Sequence, residues 1–395
     1  KILFLTFKDL LGISMKNLKL ELPNIEFGSE LASVIIELEH LRKEYIQGTT
    51  PPYIFFQIKK IFHILESVGS ARIEGNRTTV TDYASALNEG KSIQSNENFA
   101  EISNLERALS YIDSSIEKGT TITEFFIREL QQIVVDKLIN EGDKGAGKYR
   151  DHGVRISGST HVPPDMFLVP ELMHELVEFI NRDDKSQYDL IKVALVHHRF
   201  GWIHPFGNGN GRTVRLLTYA LLLKYGFNVG DYGRLINPTA IFCCDRDKYY
   251  EMLTKADSGT EKGIYEWCLY VLKGLLHERK KLDILLRYDS VKEKILLNSL
   301  DAALKASQIS HEEYEALKLA TNERELEAKD LIGKFNLKAN KASYFIKNMR
   351  EKKLICPKEE GKRSYILNLS APPLMMGIIK SLENLDLIPQ SITKN

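Results

Sequence analysis

Cysteine is scarce in this chain: Cys243, Cys244, Cys268 and Cys356 are the only four in 395 residues, and no two form a Cys-x-x-Cys pair. That argues against a disulfide framework and against a thiolate zinc site, and leaves free thiols in a reducing compartment. Long apolar runs are absent as well, and nothing approaches the ~18–20 residues of a membrane span. The formal net charge is only +1, so the molecule as a whole has no built-in pull toward nucleic acid or membrane, and any such surface must be local. No internal repeat or low-complexity tract is present. The opening Lys1–Phe7 is apolar but too short for a signal-peptide core; an edge strand is one reading, and residue from an upstream start, with Met15 as the functional beginning, is another. A cytoplasmic protein is the expectation.

What is present is an ordinary globular composition, 43% hydrophobic and 27% charged, in a chain long enough for two or three domains. Between Pro51 and about Trp267, apolar residues recur at three and four, which predicts a mainly α architecture. Helices are expected over Tyr53–Ile73 (stopped by Gly75-Asn76), Phe99–Lys118, Ile122–Leu138, Val169–Asn181, Leu190–Ile203 and Arg212–Tyr225. The stretch Gly142–Gly147 breaks the run. Val154–Val162 alternates apolar and polar residues about Gly158-Ser159 and ends at Pro163-Pro164, which predicts a short β-hairpin. Beyond about residue 285 the order becomes helix, helix, helix, hairpin. Glu327–Phe335 and Lys341–Lys353 suit a helix-turn-helix, and Leu354–Cys356 and Ser364–Leu367 suit strands around Glu360-Gly361-Lys362. This part is winged-helix-like.

The chemistry concentrates at Gly207-Asn208-Gly209-Asn210-Gly211, between two apolar helices. Glycine permits positive φ and close backbone approach to a ligand, and the N–H groups opening the next helix make an anion hole. The glycines alone suit a structural turn equally well. Arg212 and Arg215, however, stand in the first turns of that helix, where cations oppose its dipole by roughly 0.3–1 kcal/mol each. Two arginines there make sense when a polyphosphate lies between them and the backbone. The loop lacks the Gly-Lys-Ser/Thr ending of a P-loop and the spacing of a dinucleotide fingerprint. His204 adds a base able to take a proton near pH 7. His197 and His198 read as core or surface residues, and the three histidines lack the spacing of a zinc site.

His204-Pro205-Phe206-Gly207-Asn208-Gly209-Asn210-Gly211-Arg212-Thr213-Val214-Arg215 closely resembles the Fic family signature His-Pro-Phe-x-Asp/Glu-Gly-Asn-Gly-Arg-x-x-Arg, over a region of roughly residues 50–280. The resemblance implies a helical Fic fold and transfer of AMP from ATP to Ser, Thr or Tyr hydroxyls of a target protein or of the chain itself. It implies His204 as the base, Gly209, Asn210 and Gly211 as the anion hole, and Arg212 and Arg215 as phosphate ligands. The hairpin Gly158-Ser159-Thr160-His161 matches the family's target-positioning flap, and Tyr249, Tyr250 and Asp257 match the adenine pocket, although the tyrosines suit core packing equally. Two positions depart from the pattern. Asn208 stands where an acid usually holds Mg²⁺; its amide oxygen is a candidate ligand without charge, so the metal would rely on ATP phosphates and water. Asp257 stands where many relatives have Asn. Gly211 is unlike the Lys of the related Doc toxins, which transfer phosphate.

Ser70-Ala71-Arg72-Ile73-Glu74-Gly75-Asn76 resembles the family's inhibitory motif. The resemblance implies that Glu74 pairs with Arg215 and withholds it from the γ-phosphate, leaving an autoinhibited enzyme. A glutamate that orients water for AMP removal on the same site is the alternative. The resulting division is an N-terminal segment 1–50, a Fic domain 51–285 including the inhibitory helix, a helical linker 286–320, a winged-helix-like α+β domain 321–370, and a tail 371–395. Arg324–Leu369 carries 12 Lys/Arg against 6 Asp/Glu, which makes DNA a candidate partner of residues 321–370, in a regulator with a weak self-modifying Fic domain. A protein-docking role for the same surface, and a homodimer, are also allowed. No membrane partner is expected.

Overall fold

In the computed structural model, the described residues are 20–43, 48–88, 96–138, 145–227 and 238–388. The expectations for Lys1–Phe7 and Met15 lie outside them, as does the first half of the Gly142–Gly147 break. The described helices are α1 (Glu30–Lys43), α2 (Pro52–Ile73), α3 (Val80–Asn88), α4 (Glu97–Ser115), α5 (Glu124–Val134), α6 (Val169–Asn181), α7 (Asp189–Ile203), α8 (Asn210–Lys224), α9 (Pro238–Cys243), α10 (Arg246–Asp257) and α11 (Glu261–Leu286). There follow α12 (Tyr288–Val291), a π turn Lys292–Leu296, α13 (Leu297–Lys305), α14 (His311–Glu323), α15 (Ala328–Phe335), α16 (Ala339–Glu351), strands β1 (Ile355–Pro357) and β2 (Tyr365–Leu367), and α17 (Pro372–Asn384). The mainly α expectation holds. Among the described residues, no helix is long and apolar enough to cross a membrane.

The chain divides into two compact units: residues 1–43, 107–227 and 245–276, and residues 44–106, 228–244 and 277–395. Helix α2 therefore groups with the C-terminal region, and α4 and α11 are divided between the units.

In the first unit, α7 and α8 are the central pair. Leu190–Phe200 and Arg212–Leu223 are buried at every position. Helices α5 and α6 are amphipathic by contrast. The α6 stripe Val169, Leu172, Met173, Leu176, Phe179 and Ile180 faces inward, each large side chain contributing about 1.5–3 kcal/mol as an upper estimate. Several polar groups inside this core are partnered. Lys192 donates to the Arg182 carbonyl at 2.7 Å and meets Asp184 at 3.1 Å, and the Trp267 indole donates to the Ala194 carbonyl at 2.7 Å.

In the second unit, α2 begins at a Pro-Pro step and ends in a Schellman turn. The Asn76 N–H bonds the Ala71 carbonyl, the Gly75 N–H bonds the Arg72 carbonyl, and Gly75 sits at φ +106°, a conformation that favours glycine. The α2 residue Gln57 clamps the chain after β2, donating to the Leu367 carbonyl at 3.0 Å and accepting from the Leu369 N–H at 2.7 Å. The winged-helix order is present: α14, α15 and α16 precede an antiparallel β1–β2 pair in register Ile355 with Leu367, and Leu326 bridges to Tyr365. Helix α17 packs on α13, where Gly377 allows close approach.

A Cβ at Gly377 would lie 2.7 Å from the Ser299 Cα and 2.9 Å from its carbonyl oxygen, and backbone cannot yield as a flexible side chain can. Gly377→Ala is therefore expected to destabilise the second unit by about 1–3 kcal/mol, measured as a lowered midpoint in urea unfolding.

Candidate active site

His204 caps α7 in the left-handed region, at φ 51° and ψ 60°, and its N–H still reaches the Phe200 carbonyl at 2.9 Å. A non-glycine residue there carries strain of order 1 kcal/mol or more, which persists only where the surroundings fix it. Arg150, 5% exposed, does the fixing. Its Nε donates to the His204 carbonyl at 2.8 Å, and its Nη atoms donate to the carbonyls of His152, Pro164 and Ile203. Its backbone N–H donates to the Pro205 carbonyl at 2.9 Å. Burial lowers the guanidinium pKa, with Asp165 opposing that shift.

The loop behind His204 is locked by its own amides. Asn210 accepts the Phe206 N–H at 3.0 Å and donates to the Phe206 carbonyl at 2.8 Å. Gln131 of α5 donates to the Asn208 carbonyl at 3.1 Å and accepts the Gly147 N–H at 2.6 Å. Gly209, at φ +75°, is the N-cap of α8. A Cβ there would stand 2.8 Å from Val135 Cγ1, so both conformation and space demand glycine. The first α8 backbone bond runs from the Thr213 N–H to the Gly209 carbonyl at 2.9 Å. The N–H groups of Asn210, Gly211 and Arg212 therefore open the helix, where anions bind. Arg215 is 1% exposed.

Asn208 Oδ1 accepts the Gly209 N–H at 2.6 Å and an Arg212 Nη2–H at 3.3 Å. That oxygen is neutral, doubly engaged and beside a guanidinium, and among the described residues no cluster of three His, Cys, Asp or Glu side chains gathers. These donors do not fit a protein-held divalent cation.

The flap residues Gly158, Ser159, Thr160 and His161 form a bare turn, with the Ser159 N–H on the Ile156 carbonyl at 3.2 Å and Gly158 at φ +75°. Its two limbs do not pair as strands: among the described residues the one ladder is β1–β2. Ladder bonds that an alternating pattern suggests are not formed because Arg150 and the Pro163-Pro164 step direct the second limb toward the loop. There His161 Nε2 lies 2.9 Å from the Trp202 carbonyl.

Tyr249 is 3% exposed and belongs to the core. Thr218 Oγ1 donates to the Val214 carbonyl at 2.8 Å, so it accepts from His197 Nδ1–H at 2.7 Å. His197 Nε2 is then bare and accepts the Tyr249 hydroxyl at 2.9 Å. Burial holds His197 well below the ordinary histidine pKa, with Arg215 and His198 adding to the effect. Tyr250 is exposed, under Arg246 at 5.5 Å. Asp257 takes a hydrogen bond from His198 Nε2 at 2.8 Å and lines a cavity of about 710 Å³ with Arg199, Trp202 and Tyr265; none of His204–Arg215 lines that cavity. In the second unit, Ser70 is buried, and Glu74 stands exposed at the α2 C-cap beside Gly75.

Sequence reasoning picked out neither Arg150 nor Gln131. The only available signal was a basic residue between the Gly142–Gly147 break and the flap.

Three comparisons bear on this site. Residues 121–222 match the family model described as Fic/DOC family. Protein adenylyltransferase Fic of Drosophila virilis is 34% identical over 206 residues, 50% of this chain and 38% of that protein, and the Drosophila melanogaster protein of the same name is also 34% identical. The matched region thus spans under half the length of these curated relatives. Among solved structures, a Fic family protein from Desulfovibrio desulfuricans G20 superimposes with TM-score 0.51 at 19% identity, covering 88% of this chain and 98% of that one. Fic-1 from C. elegans gives 0.50 at 20%, covering 64% and 71%. At these identities the likeness is one of fold.

Gly209→Ala is expected to abolish detectable ATP binding while the protein still folds, and calorimetric titration with ATP checks it. Arg150→Gln strips donors from several buried carbonyls and is expected to cost about 2–4 kcal/mol, read as a lowered unfolding midpoint. For His197, the unfolded chain binds the proton below about pH 6.5 and the folded chain does not. Stability therefore falls as pH drops through that value, by up to ~1.4 kcal/mol per pH unit for this residue. Comparing unfolding free energies of wild type and His197→Gln between pH 7 and 5 should show the smaller acid loss in the variant.

Proposed function

Since residues 121–222 match the Fic/DOC family model, we propose that this protein transfers AMP from ATP to a Ser, Thr or Tyr hydroxyl, on another protein or on itself. The observation that carries this reading is the pinned His204 immediately ahead of the α8 N-terminus, with Arg212 in its first turn. The imidazole of His204 takes the hydroxyl proton, and the freed oxygen attacks the α-phosphorus. The new O–P bond forms as the bond from that phosphorus to the β-phosphate bridging oxygen breaks, and pyrophosphate leaves. The N–H groups of Asn210, Gly211 and Arg212, with the Arg212 guanidinium, balance charge on the phosphates. Arg215 is assigned to the γ-phosphate, and Tyr250 and Asp257 to the adenine end. Mg²⁺ enters only as a counterion carried by the ATP phosphates, because the donors around Asn208 do not fit a protein-held cation.

The flap limbs around Gly158–His161, committed to no ladder, suit pairing with an extended target segment. Exposed Val162 and Phe167 lie just beyond it. Glu74 is assigned as the brake on the strength of its motif, competing with the γ-phosphate for Arg215. The winged-helix region is read as a partner-binding module, with DNA as the partner. The free thiols support a reducing, cytoplasmic setting, and burial pushes Cys268 up to about 12, which keeps it inert.

Intact mass after incubation with ATP and Mg²⁺ tests the reaction and the brake together. Glu74→Gly is expected to gain one AMP on itself or on a lysate band, and Glu74→Gly/His204→Ala to gain none. Absence of AMP from both proteins and from the lysate would sink the transferase reading. Equal labelling of wild type and Glu74→Gly would remove the brake alone.

A further inference from the structure

The winged-helix region presents a surface whose chemistry is independent of the loop. We propose that it binds duplex DNA, with α16 lying in the major groove.

Helix α16 buries Ala342, Ile346 and Met349, spaced four and three apart on one stripe. At 100° per residue the opposite face carries Asn340, Tyr344, Lys347, Asn348 and, at its C-terminal end, Glu351, with Ser343 and Lys341 on its flanks. All seven are exposed, Tyr344 at 67%. Its entry is a true helix-turn-helix: α15 ends at Asn336 in the left-handed region (φ 50°), and three residues later α16 begins. The second helix of such a pair is the one that enters a groove.

The charge around this face is predominantly basic. From Lys338 to Lys353 there are six basic residues and a single acid, Glu351. Some of these cations have structural duties: Lys352 meets Glu313 at 2.6 Å, and Arg350 lies 5.6 Å over the Tyr365 ring. In the wing, Lys358 pairs with Glu325 at 2.8 Å and Lys362 pairs with Glu359. The cations left facing outward are Lys338, Lys341, Lys353 and Arg363, with Lys347 only distantly tied to Glu351 at 3.8 Å. They flank the amides and hydroxyls of Asn340, Ser343, Tyr344 and Asn348. Cations at the margins suit phosphates, and hydrogen-bonding side chains between them suit base edges.

A protein partner fits this face less well. Docking on another protein relies on buried apolar or aromatic anchors, and the outward face of α16 offers only Tyr344 among polar and charged neighbours.

With about four phosphate contacts, log affinity should fall against log salt with a slope near −3 to −4. The test uses the full chain and a fluorescent mixed-sequence duplex of about 25 base pairs, followed by anisotropy between about 50 and 200 mM KCl. The wild type should show that slope. Lys341→Glu/Lys347→Glu should bind at least about tenfold more weakly, with a slope shallower by about two, while far-UV circular dichroism and AMP transfer stay unchanged. Because AMP transfer is read separately, failure of the transferase reading leaves this result interpretable. No binding at the lowest salt, or wild-type binding by the charge-reversed variant, overturns the proposal. So does equal competition by polyglutamate or by single-stranded RNA of the same length, since α16 would then recognise a polyanion and not a duplex.

Discussion

A charged group buried to 5% exposure needs a strong reason to be there, and Arg150 has four carbonyls to satisfy. Those carbonyls come from the end of α7, from His204 itself and from both sides of the flap. One planar guanidinium therefore fixes the direction in which the chain leaves α7, holds His204 left-handed, and ties the flap to the same point. Lysine, a single-point donor, could not span these acceptors. Desolvation lowers the Arg150 pKa, and charge-assisted bonds to carbonyls, each worth roughly 1.5–3 kcal/mol, offset that cost. Remove the guanidinium and the strain at His204 loses its support together with the loop.

The same economy recurs downstream. Asn210 uses its side chain to close the turn on Phe206 while its backbone N–H opens α8, so a single residue both shapes the anion hole and contributes to it. Gln131 ties the Asn208 carbonyl to the chain before the flap. No acid lies anywhere between His204 and Arg215, and the helix dipole and two arginines have the same sign there. A loop of that sign suits an anion, which the sequence between those residues does not supply.

Much of this was legible in the sequence because it is local. The helices α2, α6, α7 and α8 follow from periodicity and punctuation, and the winged-helix order from its turn residues. The His204–Arg212 motif is contiguous, so its resemblance could be recognised without knowing the fold. What stayed hidden is non-local. Arg150 bonds a carbonyl 54 positions away, and Tyr249 bonds a histidine 52 positions away, so no window of sequence contains either pair. The flap misled for a related reason: alternation marks a chain that can be a strand, but pairing depends on where the limbs are pulled, and Arg150 and His161 pull them toward α7.

The proposed brake follows from the same electrostatics. A carboxylate and a γ-phosphate oxygen offer arginine the same bidentate geometry, so on this reading they are mutually exclusive partners of Arg215. The strength of such a brake is a difference of affinities, and a coupling of 1–3 kcal/mol restrains activity by roughly 5–150-fold. Glu74 stands at the end of a Schellman turn, where Gly75 and the hydrogen bonds of Asn76 to Asn98 and Glu101 fix the backbone. A neutral Asn208 has a consequence in the same direction. On the proposed reading, with no acid at that position to draw a divalent cation to the phosphates, the ATP charge would be balanced chiefly by Arg212, Arg215 and the α8 N-terminus, and whatever occupied Arg215 would take a larger share of the nucleotide's binding with it.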